Sequence, residues 1–184
     1  GFCTSEAEFE ILYADAELLL THGADGLAFG ALHEDRTINA EQTRKMIDLA
    51  HRYGKEFVFH RAFDCAVDWD VALSQLIAWK ADRILTSGGQ AKAEQGIDVI
   101  ARLQKQYGDQ IEILAGSGVH AGNALGLLKQ TGIHQLHSSC KDWQSDPTTS
   151  GNHVTYAYAP APHELDYEIV SEQKVRELTA AVAE

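Results

Sequence analysis

Three groups of polar residues stand where short apolar runs end, and each has the composition of a reactive or binding site. The run FVFHRAF at 57–63 carries His60 and Arg61 and is followed at once by Asp64. An imidazole, a guanidinium and a carboxylate so close together can act as base, anion clamp and orienting group. They can equally form an Arg–Asp ion pair beside a histidine satisfied by backbone. Polar groups that interrupt a buried strand are costly unless partnered, so some pairing is expected. The run IEILAGSGV at 111–119 contains Gly116, Ser117 and Gly118 just ahead of a helix opening near His120. The run IHQLHSS at 133–139 closes on His137, Ser138 and Ser139. Glycines let backbone N–H groups approach an anion at a helix N-terminus, and hydroxyls add donors. Gly116, Ser117, Gly118, Ser138 and Ser139 are therefore read as an anion site; a tight turn between strand and helix is the alternative. Thr86-Ser87-Gly88-Gly89 is a similar strand end, closer to ordinary turn chemistry.

Metal chemistry has fewer residues to draw on. Cys65 and Cys140 both follow strand ends, and thiolates suit Cu(I), with His137 and His60 as possible additions. The spacing does not bring them together, and isolated cysteines are usually fillers. The three cysteines, Cys3, Cys65 and Cys140, include no CxxC pair. They read as free thiols of a reducing compartment, which leads to the expectation of a cytoplasmic protein.

The elements that must hold these residues alternate. Short β-rich runs begin at residues 26, 57, 83, 111 and 133, each closing in Gly, Ser or another polar residue. Such runs read as parallel strands buried on both faces. Between them lie amphipathic stretches. Residues 5–22 align Phe9, Leu12, Tyr13, Ala16, Leu19 and Leu20. A second helix starts at Asn39, with Gln42 at capping-box spacing, and ends at Gly54. Others start at Asp68, span 93–107 and 121–130, and begin again at Ser171. The repeat of strand and helix demands right-handed crossovers and a parallel sheet. Its pitch suits a (β/α)8 barrel, where one unit takes roughly 30 residues. Five strands also suit an open doubly wound sheet, and spacing alone does not choose.

Composition sets bounds on function. The 184 residues fit one domain, 1–184, with 45% hydrophobic and 23% charged residues. Fifteen Lys and Arg against 27 Asp and Glu give a net charge of −12. That balance argues against nucleic-acid and anionic-membrane partners, which need clustered cations. No apolar run approaches the roughly 18 residues of a membrane-spanning helix.

The segments GFCTSEAEF (1–9), FHRAFDC (59–65), RILTSGGQ (83–90), EILAGSGV (112–119), LHSSCKDW (136–143) and ELDYEIVSEQKVREL (164–178) together resemble the CutC family, in order along the whole chain. The resemblance implies a TIM barrel whose first three strands lie ahead of the position matching Gly1, leaving five parallel strands here. It also implies copper homeostasis, with Cu(I) as the metal. The sequence departs from the family where Cys65 replaces a common Met, where Cys140 replaces a small residue, and at the extra Gly89. The cysteines proposed as copper ligands in the family belong to the early strands, so copper is carried by the family name alone.

Two functions stand open: a copper-handling protein, and a TIM-barrel enzyme acting on a small phosphorylated or otherwise anionic substrate. The exposed sheet edges of a five-strand segment lead to the expectation of a homo-oligomer, or of another segment filling the gap. Residues 141–170, which hold all three prolines, are expected as a long loop before the closing helix.

Overall fold

The computed structural model describes residues 1–183. Five parallel strands form one sheet in chain order: β1 (Gly26–Phe29), β2 (Glu56–Phe59), β3 (Arg83–Thr86), β4 (Glu112–Gly116) and β5 (Gln135–His137). Helices α2 (Ala40–Arg52), α3 (Trp69–Ala78), α4 (Ile97–Tyr107) and α5 (Ala121–Thr131) connect them, and α1 (Glu6–Thr21) precedes β1. Burial alternates along the strands. Leu27, Phe57, Phe59, Ile84, Ile113 and Ala115 are buried, while Ala28, Val58, Leu85 and Leu114 between them are more open. The first set packs among Leu49, Leu73, Leu76, Ile100, Leu103 and Leu127 of the helices. Each such large side chain stabilises the fold by roughly 1.5–3 kcal/mol relative to exposure.

The α/β class and the five parallel strands agree with the sequence reading. The helices cover one face only, which is the layering of a barrel wall, whereas a doubly wound sheet is covered on both faces. Among the described residues no ladder joins β1 to β5, so the sheet is not closed.

Local chemistry sets the element boundaries. At α1, Ser5 and Glu8 form a capping box, with Ser5 N–H donating to Glu8 Oε2 at 2.8 Å. At α2 the box is only half formed. Asn39 Oδ1 accepts from Gln42 N–H at 3.1 Å, but the Gln42 side chain turns away and donates to the Thr4 carbonyl. The stripe of α1 is less buried than its periodicity suggests. Phe9, Ala16 and Leu20 are covered, while Leu12 and Leu19 stay exposed beside Ile11 and Leu18.

Three boundaries differ from expectation. β2 stops at Phe59, and Arg61–Cys65 forms a 3-10 turn capped by His60. The helix expected over 93–107 is broken at Gly96, after a short turn at Ala93–Gln95. Gly96 passes so close to the β3 end that a Cβ there would lie 2.1 Å from the Ser87 carbonyl oxygen. Residues 141–170 are not loop throughout. β6 (Lys141–Ser145) and β7 (Asp166–Val170) pair antiparallel, followed by α6 (Glu172–Val182), which lies against α5.

Candidate functional site

At the ends of β2 and β3 the polar groups close on one another. The His60 ring lies over Gly30, where a Cβ would come 2.6 Å from its Nδ1. It is flanked by Phe2, Phe29 and Phe59, with ring centres 5.2–6.5 Å away. Its Nδ1 accepts from the Ala62 N–H at 3.2 Å, and burial holds the imidazole pKa below its usual value. Arg61 turns the other way. Its Nε donates to Asp64 Oδ2 at 2.8 Å, and its Nη2 donates to the Ser87 hydroxyl at 2.8 Å. The Asp64 carboxylate, 6% exposed, also accepts from the Thr86 hydroxyl and from the N–H groups of Ser87 (3.1 Å) and Gly89 (3.2 Å). A carboxylate has about four lone-pair sites, and here they are filled. Of His60 and Arg61, it is Arg61 that Asp64 holds.

At the ends of β4 and β5 a cavity of about 570 Å3 opens. Ser117, Gly118, Val119 and His120 form one wall, and His137, Ser138, Ser139 and Cys140 form another. Arg61 faces it from the 3-10 turn after β2, Leu85 lies in its lining, and Lys92, Lys141 and Lys174 stand around it with Glu177. The backbone is tightly arranged. Asn123 Nδ2 donates to the Gly118 carbonyl at 2.9 Å, and the Ser138 hydroxyl donates to the Val119 carbonyl at 2.6 Å. Peptide planarity places the Val119 N–H on the opposite edge from the Gly118 carbonyl. His120 caps α5: its Nδ1 accepts from Gly122 N–H at 3.1 Å, while its own N–H donates to Asn123 Oδ1 at 2.9 Å. An imidazole whose Nδ1 accepts a hydrogen bond carries its proton on Nε2, which remains a donor.

The structure thus brings Arg61, Ser117, Gly118, His137, Ser138, Ser139 and Cys140 to one cavity. Gly116 lies beneath it, packed so that a Cβ would sit 2.7 Å from Leu85 Cδ1. His60 and Asp64 stand outside the lining. Of the sulfur candidates, Cys140 lines the cavity, its Sγ 3.6 Å from the Ser138 hydroxyl, while Cys65 is exposed outside it. Among the described residues no three His, Cys, Asp or Glu converge as a metal site. Sequence reasoning missed Lys92, Lys141, Lys174 and His120 as cavity residues. His120 had a signal, its place at the start of a helix; the lysines had none.

The CutC family model matches residues 1–142, which include both strand-end clusters. A CutC family protein of Treponema denticola is 38% identical over 170 residues, covering 92% of this chain and 68% of the relative. One from Xylella fastidiosa is 34% identical over 185 residues, covering 100% and 66%. A solved structure from Streptococcus agalactiae, described provisionally as the copper homeostasis protein CutC, superposes with a TM-score of 0.69. It shares 28% identity and covers 74% of this chain and 66% of the other. A KDPGal structure matches with a TM-score of 0.53 at 13% identity, a likeness of fold alone. The chain spans about two thirds of the length of these CutC relatives. Among the described residues no helix is long and apolar enough to cross a membrane.

Proposed function

We propose a function from one premise: this chain belongs to the CutC family. The cavity at the ends of β4 and β5 is a binding site for a small organic molecule with an anionic group, a phosphate or a carboxylate. The observation that carries this reading is the convergence, on one cavity of about 570 Å3, of Gly118, the Ser139 hydroxyl, the start of α5 and a set of cationic side chains that includes Lys92. A volume of that size exceeds a bare ion and suits a ligand with a carbon body. Bound there, the ligand meets the Nε2–H of His120, a donor fixed by its capping bond, and has His137 beside it. Two histidines at such a place suit proton transfer to or from an anionic substrate.

A second reading takes copper as the cargo. It is supported by the description of the S. agalactiae relative, and by the presence of Cys140 and His137 in the same cavity. Both are suitable Cu(I) ligands. Cys65 stands outside the cavity, so this reading has two ligands of its own and needs a third from the ligand molecule or another chain.

Calorimetric titration of the full chain, anaerobically and under reducing conditions, separates the two. Phosphate esters are expected to bind wild type, and to bind more weakly to Ser139→Ala. Stoichiometric Cu(I) binding that is lost in Cys140→Ser, with no anion binding at all, would replace the first reading by the second.

A further inference from the structure

The four cations around the cavity are not equivalent. The Arg61 guanidinium is held by Asp64, by the Ser87 hydroxyl and by the Gln90 carbonyl. Lys141 Nζ lies 2.7 Å from Glu168 and over the Trp143 ring. Lys174 Nζ donates to the Lys141 carbonyl and lies 3.2 Å from Asp142. Lys92 alone of the four has no carboxylate within 4.0 Å among the described residues.

The side chain is exposed, but its stem is seated. Gly118 has φ +70°, and a Cβ there would come within 3.0–3.2 Å of Lys92 Cβ, Cγ and Cδ. The lysine stem therefore lies flat on the glycine, a fit that needs both the missing Cβ and the left-handed backbone. The loop carrying Lys92 is tied to the same wall. Ala93 N–H donates to the Ser117 carbonyl at 2.9 Å, and the Ser117 hydroxyl donates to the Ala91 carbonyl at 2.8 Å. An unpaired ammonium on a stem positioned in this way is a charge held ready for a ligand, since its flexibility is already restricted.

We propose that Lys92 is the residue that reads charge in this cavity. The ligand is a small molecule with a single compact anionic head, placed between the Lys92 ammonium, the Gly118 backbone and the start of α5. Its carbon body lies toward Leu85 and Val119. This rests on the cavity being the ligand site, and adds which charge selects the ligand and how many anionic heads it carries. The other three cations are neutralised by the protein's own acceptors, so one head is matched and a second is not.

The test is titration calorimetry of the full chain with glycerol 3-phosphate, with lactate as a carboxylate of the same carbon count, and with inorganic phosphate. Lys92→Met keeps the stem and removes the charge; it is expected to weaken binding about tenfold or more, with a shallower dependence on salt. Lys92→Arg is expected to retain most of the affinity. Gly118→Ala is expected to weaken binding with every charge retained, because the new Cβ displaces the lysine stem. Lys129→Met, a surface charge of α5 outside the cavity, serves as a control that leaves binding unchanged. Thermal midpoints of the variants identify any loss that comes from unfolding. If wild type binds none of the probes, the site itself is wrong. If wild type binds and Lys92→Met binds equally well, the site stands and the role of Lys92 falls. Preference between glycerol 3-phosphate and lactate assigns the head as phosphate or carboxylate.

Discussion

Two stretches of one sheet rim use similar residues in opposite ways. At the ends of β2 and β3, Arg61, Asp64, Thr86 and Ser87 satisfy one another, and the Asp64 carboxylate has a donor at every side. At the ends of β4 and β5, the side chains of Asn123 and Ser138 satisfy backbone carbonyls, and the space between the walls stays open. The contrast separates polar residues that stabilise from polar residues free to bind. A strand end whose donors and acceptors are all consumed inside the protein is a clamp. One whose carbonyls are consumed, while the Ser139 hydroxyl, the backbone at Gly118 and an ammonium remain, has the pattern of an anion receptor.

The largest effect is expected at the clamp. Asp64→Ala removes the shared acceptor of Arg61, Thr86, Ser87 and Gly89. Losing a carboxylate that is only 6% exposed, and that accepts from three buried donors besides the partly exposed Arg61, costs about 3 kcal/mol, measured as a loss in urea unfolding free energy. A loss below about 1 kcal/mol would show that the donors find water instead, and the contrast between the two ends would disappear.

Ser138→Ala comes next. It removes the hydroxyl that links the Val119 carbonyl and the Cys140 N–H, at an expected cost of about 1–2 kcal/mol. Ser138 is then a brace of the cavity wall, and ligand affinity should fall with it.

A smaller effect is expected with pH. Burial lowers the His60 pKa in the fold, so the unfolded chain binds a proton more readily. The stability from neutral His60 is fully present above the unfolded value of about 6.5. It is lost as pH falls below that value and through the lower folded pKa. Urea unfolding at pH 7.5 and 5.5 should show the drop, and His60→Asn, which keeps a capping side chain, should reduce it. An unchanged drop in the variant would place its origin elsewhere.

The smallest change in stability belongs to Ser139→Ala. Among the described residues no internal partner holds this exposed hydroxyl, so stability should stay within about 0.5 kcal/mol while phosphate-ester affinity falls. A change in stability without a change in affinity would make Ser139 part of the scaffold.

Much of this was available from sequence. The βα alternation, the strand-end positions of Arg61, Ser117, Gly118, His137 and Ser138, and the pairing of Arg61 with Asp64 follow from periodicity and from the cost of unpartnered polar groups. The break of α4 at Gly96 was not, because it depends on contact with the Ser87 carbonyl, far away in the fold. Nor was the β6–β7 pairing, since its strands lie some twenty residues apart and carry no tight-turn signal. The stripe of α1 misled for a related reason: periodicity shows which residues share a face, and neighbouring elements decide whether that face is covered.

The sequence by itself determined the parallel α/β class, the order of the strands and the residues at their ends, because these depend on interactions a few positions apart. Only the tertiary structure decided which of those residues are consumed. For Arg61 an anion clamp and an ion pair with Asp64 both stood open, and the fold binds it to Asp64 and Ser87, whereas Lys92 carried no signal and lies on Gly118 with no carboxylate in reach among the described residues. A side chain's freedom to bind a ligand depends on which acceptors the fold brings within reach, and those come from strands distant in the chain.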